Sequence, residues 1–236
     1  MSSITFQLHQ ILNQQRRFKY PFEEQEHLIP SNGIYCIFEK GERYGDNDRI
    51  VRVGSHTGNN KLLTRLKEHF IKTNKDRSIF RKNIGRALLH KANDPYLSIW
   101  EKDFTPKAAR TEHHHLLDPV YQENIEQKVS SYIQENLSFA VVPILEWEDR
   151  LYWKTKLIAT LAQSSETSPS ANWLGHDSPK EKIRTFGLWQ EHHLNDTPMD
   201  QKDFLQFLEI LSWPSPQPAH QSSKCNPPHK HHVSLG

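Results

Sequence analysis

A mixed α/β (α+β) fold built on a three-stranded sheet is what the sequence predicts, on three observations. Two strand-like runs, GIYCIFEK from Gly33 and RIVRVG closing on Gly54, flank a segment of turn formers. A third run, SFAVVPIL from Ser138, is almost wholly apolar. Stretches with apolar residues at helical spacing stand before, between and after these runs.

Taken in order, residues 4–17 place Ile4, Leu8, Ile11 and Leu12 on one side of a helix that packs on the domain. The strands 33–39 and 49–54 are separated by KGERYGDND, which predicts an antiparallel hairpin with a rather long loop. After GSHTGNN, the segment KLLTRLKEHFIK carries Leu62, Leu63, Leu66 and Phe70 at helical spacing. SIFRKNIGRALLHKA repeats the pattern with Ile79, Phe80, Ile84, Ala87 and Leu88. Residues 94–119, with Pro95 and Pro106, are expected to be a loop insertion. A helix from Pro119 to Asn136 follows, with Val120, Ile125, Val129, Tyr132 and Ile133 as its inner stripe, and then the apolar third strand, expected to be central in its sheet. The next helix, 148–162, turns Leu151, Leu157, Ile158 and Leu161 inward. Ser178, Pro179 and Glu181 predict a capped helix start and Gly187 its end; a last helix covers MDQKDFLQFLEIL. The expected organisation is a lead-in over 1–30, a main domain over 31–175, a helical C-terminal extension over 176–212 and a disordered tail over 213–236.

Composition excludes several classes. The 236 residues are 35% hydrophobic and 25% charged, as in a globular chain. The longest apolar stretches, such as 139–145, are far shorter than the roughly 20 residues of a bilayer crossing. The N-terminal residues show no secretory pattern, and the two cysteines, Cys36 and Cys225, imply no disulfide framework, so a cytoplasmic, intracellular setting is expected. The histidine runs 113–115 and 229–232 lack the spacing of a structural metal centre. The formal net charge is only +2, yet Lys61 to Lys91 holds ten Lys or Arg against two acids. Lys61, Lys67, Lys72, Arg81, Lys82 and Arg86, with Arg52, are the candidate contacts to a polyanion, whose phosphates such a patch would neutralise.

Chemistry points to the same region. A phenol such as that of Tyr35 can activate water beside a phosphate when cations lie near it. Arg65 and His69, four residues apart, share a helix face and bring a phosphate-matching fork of donors and a proton carrier.

Gly33-Ile34-Tyr35, a second strand ending at Gly54, then Arg65 with His69 resemble the GIY-YIG nucleases over about residues 30–175. The stretch NWLGHDSPKEKIRTFGLW is similar to the C-terminal extension of one subgroup of that family. The resemblance implies a small three-stranded sheet flanked by helices. It also implies a catalytic Tyr35, a phosphate-stabilising Arg65 with His69 as its helical partner, structural roles for Gly33, Ile34, Gly54 and Asn172, and Mg²⁺ or Mn²⁺ as cofactor. The implied reaction is endonucleolytic attack of water on a phosphodiester, of DNA rather than RNA. Two departures matter. The second motif reads Arg52-Val53-Gly54, with arginine in place of a tyrosine, and the position of the metal-ligating glutamate is occupied by Lys154. An ammonium repels a cation that wants oxygen ligands, so a displaced carboxylate, Glu126, Glu146 or Glu148, would have to serve. The alternative expectation is a degenerate nucleic-acid-binding module in which Lys154 stands in for the metal.

Overall fold

Four strands, β1 (Arg17–Lys19), β2 (Gly33–Tyr44), β3 (Asn47–Ser55) and β4 (Leu137–Pro143), form one antiparallel sheet in the order β1-β4-β2-β3 in the computed structural model, which describes residues 2–212. The three expected strands are present, and β4 is interior. The addition is β1, whose three residues pair Arg17 with Ala140 and Lys19 with Ser138. So short a strand is less than two periods of alternation, too little for a sequence pattern to reveal.

The expected long hairpin loop is corrected. Strand β2 runs on to Tyr44, which pairs with Asn47, so the chain reverses on Gly45-Asp46, with Gly45 at φ 57°. A two-residue hairpin turn favours positive φ, which glycine supplies without a Cβ clash. The length is absorbed upstream by register shifts between Ile37 and Phe38 and between Phe38 and Arg43.

Nine α-helices, besides short 3-10 turns, accompany the sheet among the described residues: α1 (Ile4–Asn13), α2 (Leu62–Phe70), α3 (Ile79–Lys91), α4 (Leu97–Trp100), α5 (Lys107–His113), α6 (Pro119–Asn136), α7 (Trp147–Ala162), α8 (Glu181–Phe186) and α9 (Gln201–Ser212). The segment 94–119 is thus partly helical, and Trp100 within it is fully buried. Helix α8 begins later than the cap signal implied. The Ser178 hydroxyl accepts from the Lys180 amide in a turn, and no side chain caps α8. Gly187 ends it in the left-handed region, φ 63°. The expected tail from about Trp213 lies outside the described residues, as do Cys225 and the histidines at 229–232. No helix among the described residues is long and apolar enough to cross a membrane.

Alternation along β2 divides the core. Tyr35 and Ile37 pack with Leu66, Phe70, Phe80 and Ile133 of α2, α3 and α6 on one face. Ile34, Cys36 and Phe38 pack with Leu8, Leu157, Ile158 and Phe207 of α1, α7 and α9 on the other. Two inner-stripe expectations fail: Val120 is 72% exposed and Leu151 is 37% exposed.

The chain beyond α7 is fastened to the β2–β3 hairpin through buried carboxylates. Glu39 Oε2 accepts both indole N–H groups, from Trp173 at 3.0 Å and Trp189 at 2.8 Å. Glu42 pairs with Arg49, whose Nη1 donates to the Gly187 carbonyl at 2.6 Å. The Trp189 amide then donates to the Val51 carbonyl at 2.8 Å, laying residue 189 against the open edge of the sheet.

Candidate functional site

Tyr35 leaves β2 opposite Gly54 on β3. A Cβ at Gly54 would lie 2.3 Å from the phenol oxygen, so only glycine lets the ring lie flat across the neighbouring strand. Gly33 serves likewise, since a Cβ there would lie 2.5 Å from the Val142 carbonyl oxygen. Ile34 is a core residue of the opposite face.

Across from the phenol, α2 presents His69, buried with 0% exposure. Its Nε2 is 2.7 Å from the Tyr35 hydroxyl and its Nδ1 is 2.7 Å from Ser78 Oγ. Burial, with Arg65, Arg52 and Arg81 adding to it, holds the imidazole well below the ordinary histidine value. The ring is therefore neutral at pH 7, with one nitrogen donating and the other accepting. The Arg52 and Arg65 charges both act on the Tyr35 phenol, and the Tyr35, His69 and Ser78 side chains form one hydrogen-bonded chain. Ser78 also accepts the Arg81 amide at 3.1 Å, capping α3 and fixing the chain's end.

Arg52, 6% exposed, lies on the edge strand with its guanidinium 5.0 Å from the Phe80 ring centre and Nη1 donating to the Trp189 carbonyl. Its Nε is buried without a partner among the described residues. Burial pushes its pKa down, Tyr35 and Glu191 oppose that, and Arg65 adds to it. Arg65 is more open and donates to Glu68 at 2.9 Å and the Arg77 carbonyl at 2.7 Å. Burial opposes its charge, but Tyr35 and Glu68 outweigh that and raise its pKa.

Lys154 is on α7, which packs against β3. It is half-buried, its pKa is lowered by burial and then by Arg52, and among the described residues it has neither a hydrogen-bond nor an ion-pair partner. Arg52, Arg65 and Lys154 thus converge on one edge of the sheet. The nearby carboxylates are Glu68, tied to Arg65, and Glu191, which accepts from Asn83 at 2.9 Å and lies 3.5 Å from Arg86.

This donor set does not fit Mg²⁺ or Mn²⁺ at the position the resemblance implies. The displaced carboxylates do not repair it. Glu126 is 3% exposed, with Oε1 accepting the Lys75 amide and Oε2 receiving Arg81. Glu146 and Glu148 are exposed at the start of α7, roughly two turns from Lys154. Among the described residues no group of three His, Cys, Asp or Glu is placed to hold a metal ion.

The basic stretch is only partly a surface. Arg81, 0% exposed, is spent on Glu126, on the His69 carbonyl and on Ser130. Lys82 is 8% exposed beside Asp76, and Arg86, 6% exposed, forms a two-pronged bond to Glu101. These three, with Arg52, are removed from the outward contacts the charge count suggested. Lys61 and Lys72 are exposed, and Lys67 is paired with Glu26 at 2.8 Å. Asn172 is exposed and its side chain makes no hydrogen bond among the described residues; its neighbour Trp173 carries the anchoring contact. Ser78 and Glu191 are the members sequence reasoning missed. Ser78 is legible as a helix cap but not as a histidine partner, and Glu191 reaches Asn83 and Arg86 from the chain beyond α8.

A family model described as the GIY-YIG domain matches residues 3–212. No curated protein and no solved structure gives a significant match.

Proposed function

Because the chain belongs to the GIY-YIG domain family and shares its nuclease-like fold, we propose that it binds nucleic acid, DNA before RNA, by gripping a backbone phosphate at the Tyr35 edge. Arg65 and Lys154 supply the reachable charge, Arg52 the field behind them, and no metal is required for binding. The observation that carries this reading is Lys154 on α7, which packs against β3: a cation where the resemblance implies a carboxylate, without a hydrogen-bond or ion-pair partner among the described residues. A half-buried ammonium without a counter-charge gives up part of its hydration, and an anionic oxygen offsets that loss.

The test is fluorescence anisotropy of labelled DNA and RNA in EDTA at rising salt. Binding that weakens steeply with salt and is reduced by Lys154→Ala and Arg65→Ala supports the reading. Affinity indifferent to salt, or to both substitutions, refutes it.

A second reading, metal-assisted endonucleolytic cleavage, is favoured by the 2.7 Å Tyr35–His69 contact with Arg65 beside it. In that reading Tyr35 orients the attacking water and Arg65 stabilises charge developing on the phosphoryl oxygens. Nicking of supercoiled plasmid in Mg²⁺ or Mn²⁺, abolished by Tyr35→Phe, would establish it. Cleavage only by Lys154→Glu would instead identify a nuclease site silenced at one position.

A further inference from the structure

Trp147, Leu151 and Lys154 follow the i, i+4, i+7 spacing of one helical stripe along α7. Trp147 is 42% exposed and Tyr152 44%, high for large aromatics on a helix whose other side is core. They open onto a groove of about 590 Å³ that Leu151, Thr155, Glu148 and Asp196 also line. Tyr152 is braced: its hydroxyl donates to Asp203 at 2.7 Å and its ring meets Trp153 edge-on at 4.9 Å. Lys156 is also committed, 2.9 Å from Asp203. The groove therefore combines an aromatic face free among the described residues, an apolar wall and a carboxylate rim; Lys154, unpartnered among the described residues, stands outside this lining at one end of the same helical stripe.

We propose that this groove receives an unpaired nucleobase whose backbone phosphate is held by Lys154, making single-stranded nucleic acid the preferred ligand of the phosphate site proposed above, on which this inference rests. An unpaired nucleotide is complementary in each respect. Its flat π-face stacks on Trp147, the exocyclic amine of an adenine, cytosine or guanine meets the Glu148 and Asp196 carboxylates, and its phosphate meets Lys154. A duplex keeps both faces of its bases stacked inside and presents no ring to the groove.

Anisotropy in EDTA on short single-stranded DNA, single-stranded RNA and blunt duplex DNA tests it, with the native chain, Trp147→Ala and Trp147→Phe. Trp147→Ala is expected to weaken single-strand binding at least about five-fold, from the stacking lost per base. Duplex binding stays unchanged and Trp147→Phe keeps most of the affinity. Equal binding of single strands by native protein and Trp147→Ala overturns the groove. If Arg65→Ala and Lys154→Ala still weaken binding in that case, the phosphate reading survives it. Native protein that binds no nucleic acid at low salt overturns both. Light scattering that shows a dimer dissociated by Trp147→Ala overturns the groove as a nucleotide site and assigns it to a second copy of the chain.

Discussion

The Tyr35 hydroxyl rests where a Cβ of Gly54 would stand, 2.3 Å from it, so the phenol's position is set by the missing side chain on the neighbouring strand. Gly54→Ala is expected to displace the ring from His69 and destabilise the domain by about 1–3 kcal/mol. Tyr35→Phe does not relieve the clash, because the ring carbons Cζ and Cε2 lie 2.4 and 2.7 Å from the same Cβ position. Urea unfolding of the single and double variants checks both statements.

Lys154→Ala and Arg65→Ala each remove one reachable cation. Each is expected to lower DNA affinity and to flatten the dependence of log affinity on log salt by about one charge's worth, a slope change near 0.9. Arg81→Ala, which removes a charge that never meets solvent, is expected to leave that slope unchanged in whatever protein remains folded.

Glu126 is a structural group. It compensates Arg81 in a region closed to water, where loss of one partner strands the other charge. Glu126→Ala is expected to cost about 3–5 kcal/mol. Chemical denaturation followed by tryptophan fluorescence measures it, and a loss below about 1 kcal/mol would return Glu126 to the list of candidate metal ligands.

Acid should unfold the chain through its buried histidines. Burial, opposed by the Thr5 carbonyl and aided by Arg49, pushes His9 from 6.5 down to about 4, and His69 is lowered as well. The unfolded chain then binds more protons than the folded one between those values. Stability is complete above about pH 6.5 and is lost as pH falls toward 4, with His9 alone contributing about 3 kcal/mol. Melting temperatures at pH 7.5, 5.5 and 4.5 would show the fall beginning about pH 6.5, and His9→Gln would reduce its amplitude.

The longer elements were legible because their signal is local. Helix α6 occupies the predicted span Pro119–Asn136, and β2, β3 and β4 lie where their apolar runs stand. Tyr35, Arg65 and His69 were legible as a set, and the fold brings their side chains to one place. The fate of the charges was not. Ten cations between Lys61 and Lys91 look like one basic face. Arg81 and Arg86 instead turn inward because Glu126, Glu101 and Glu191 arrive from helices and loops far along the chain. Leu151 shows the converse: spacing assigned it to the core, but among the described residues nothing covers that side of α7, so it faces a groove.

The order of elements and the family were legible in the chain itself, as was the lysine standing where the resemblance implies a carboxylate, since these readings depend on residue type and spacing along one chain. Only the packed chain showed that Lys154, on the helix against β3, has no acid to neutralise it among the described residues. It also decided that His69 is stripped of water and neutral, and that Trp189 closes the sheet edge behind Arg52. Burial and the approach of distant partners set charge and protonation, and neither is encoded in local spacing.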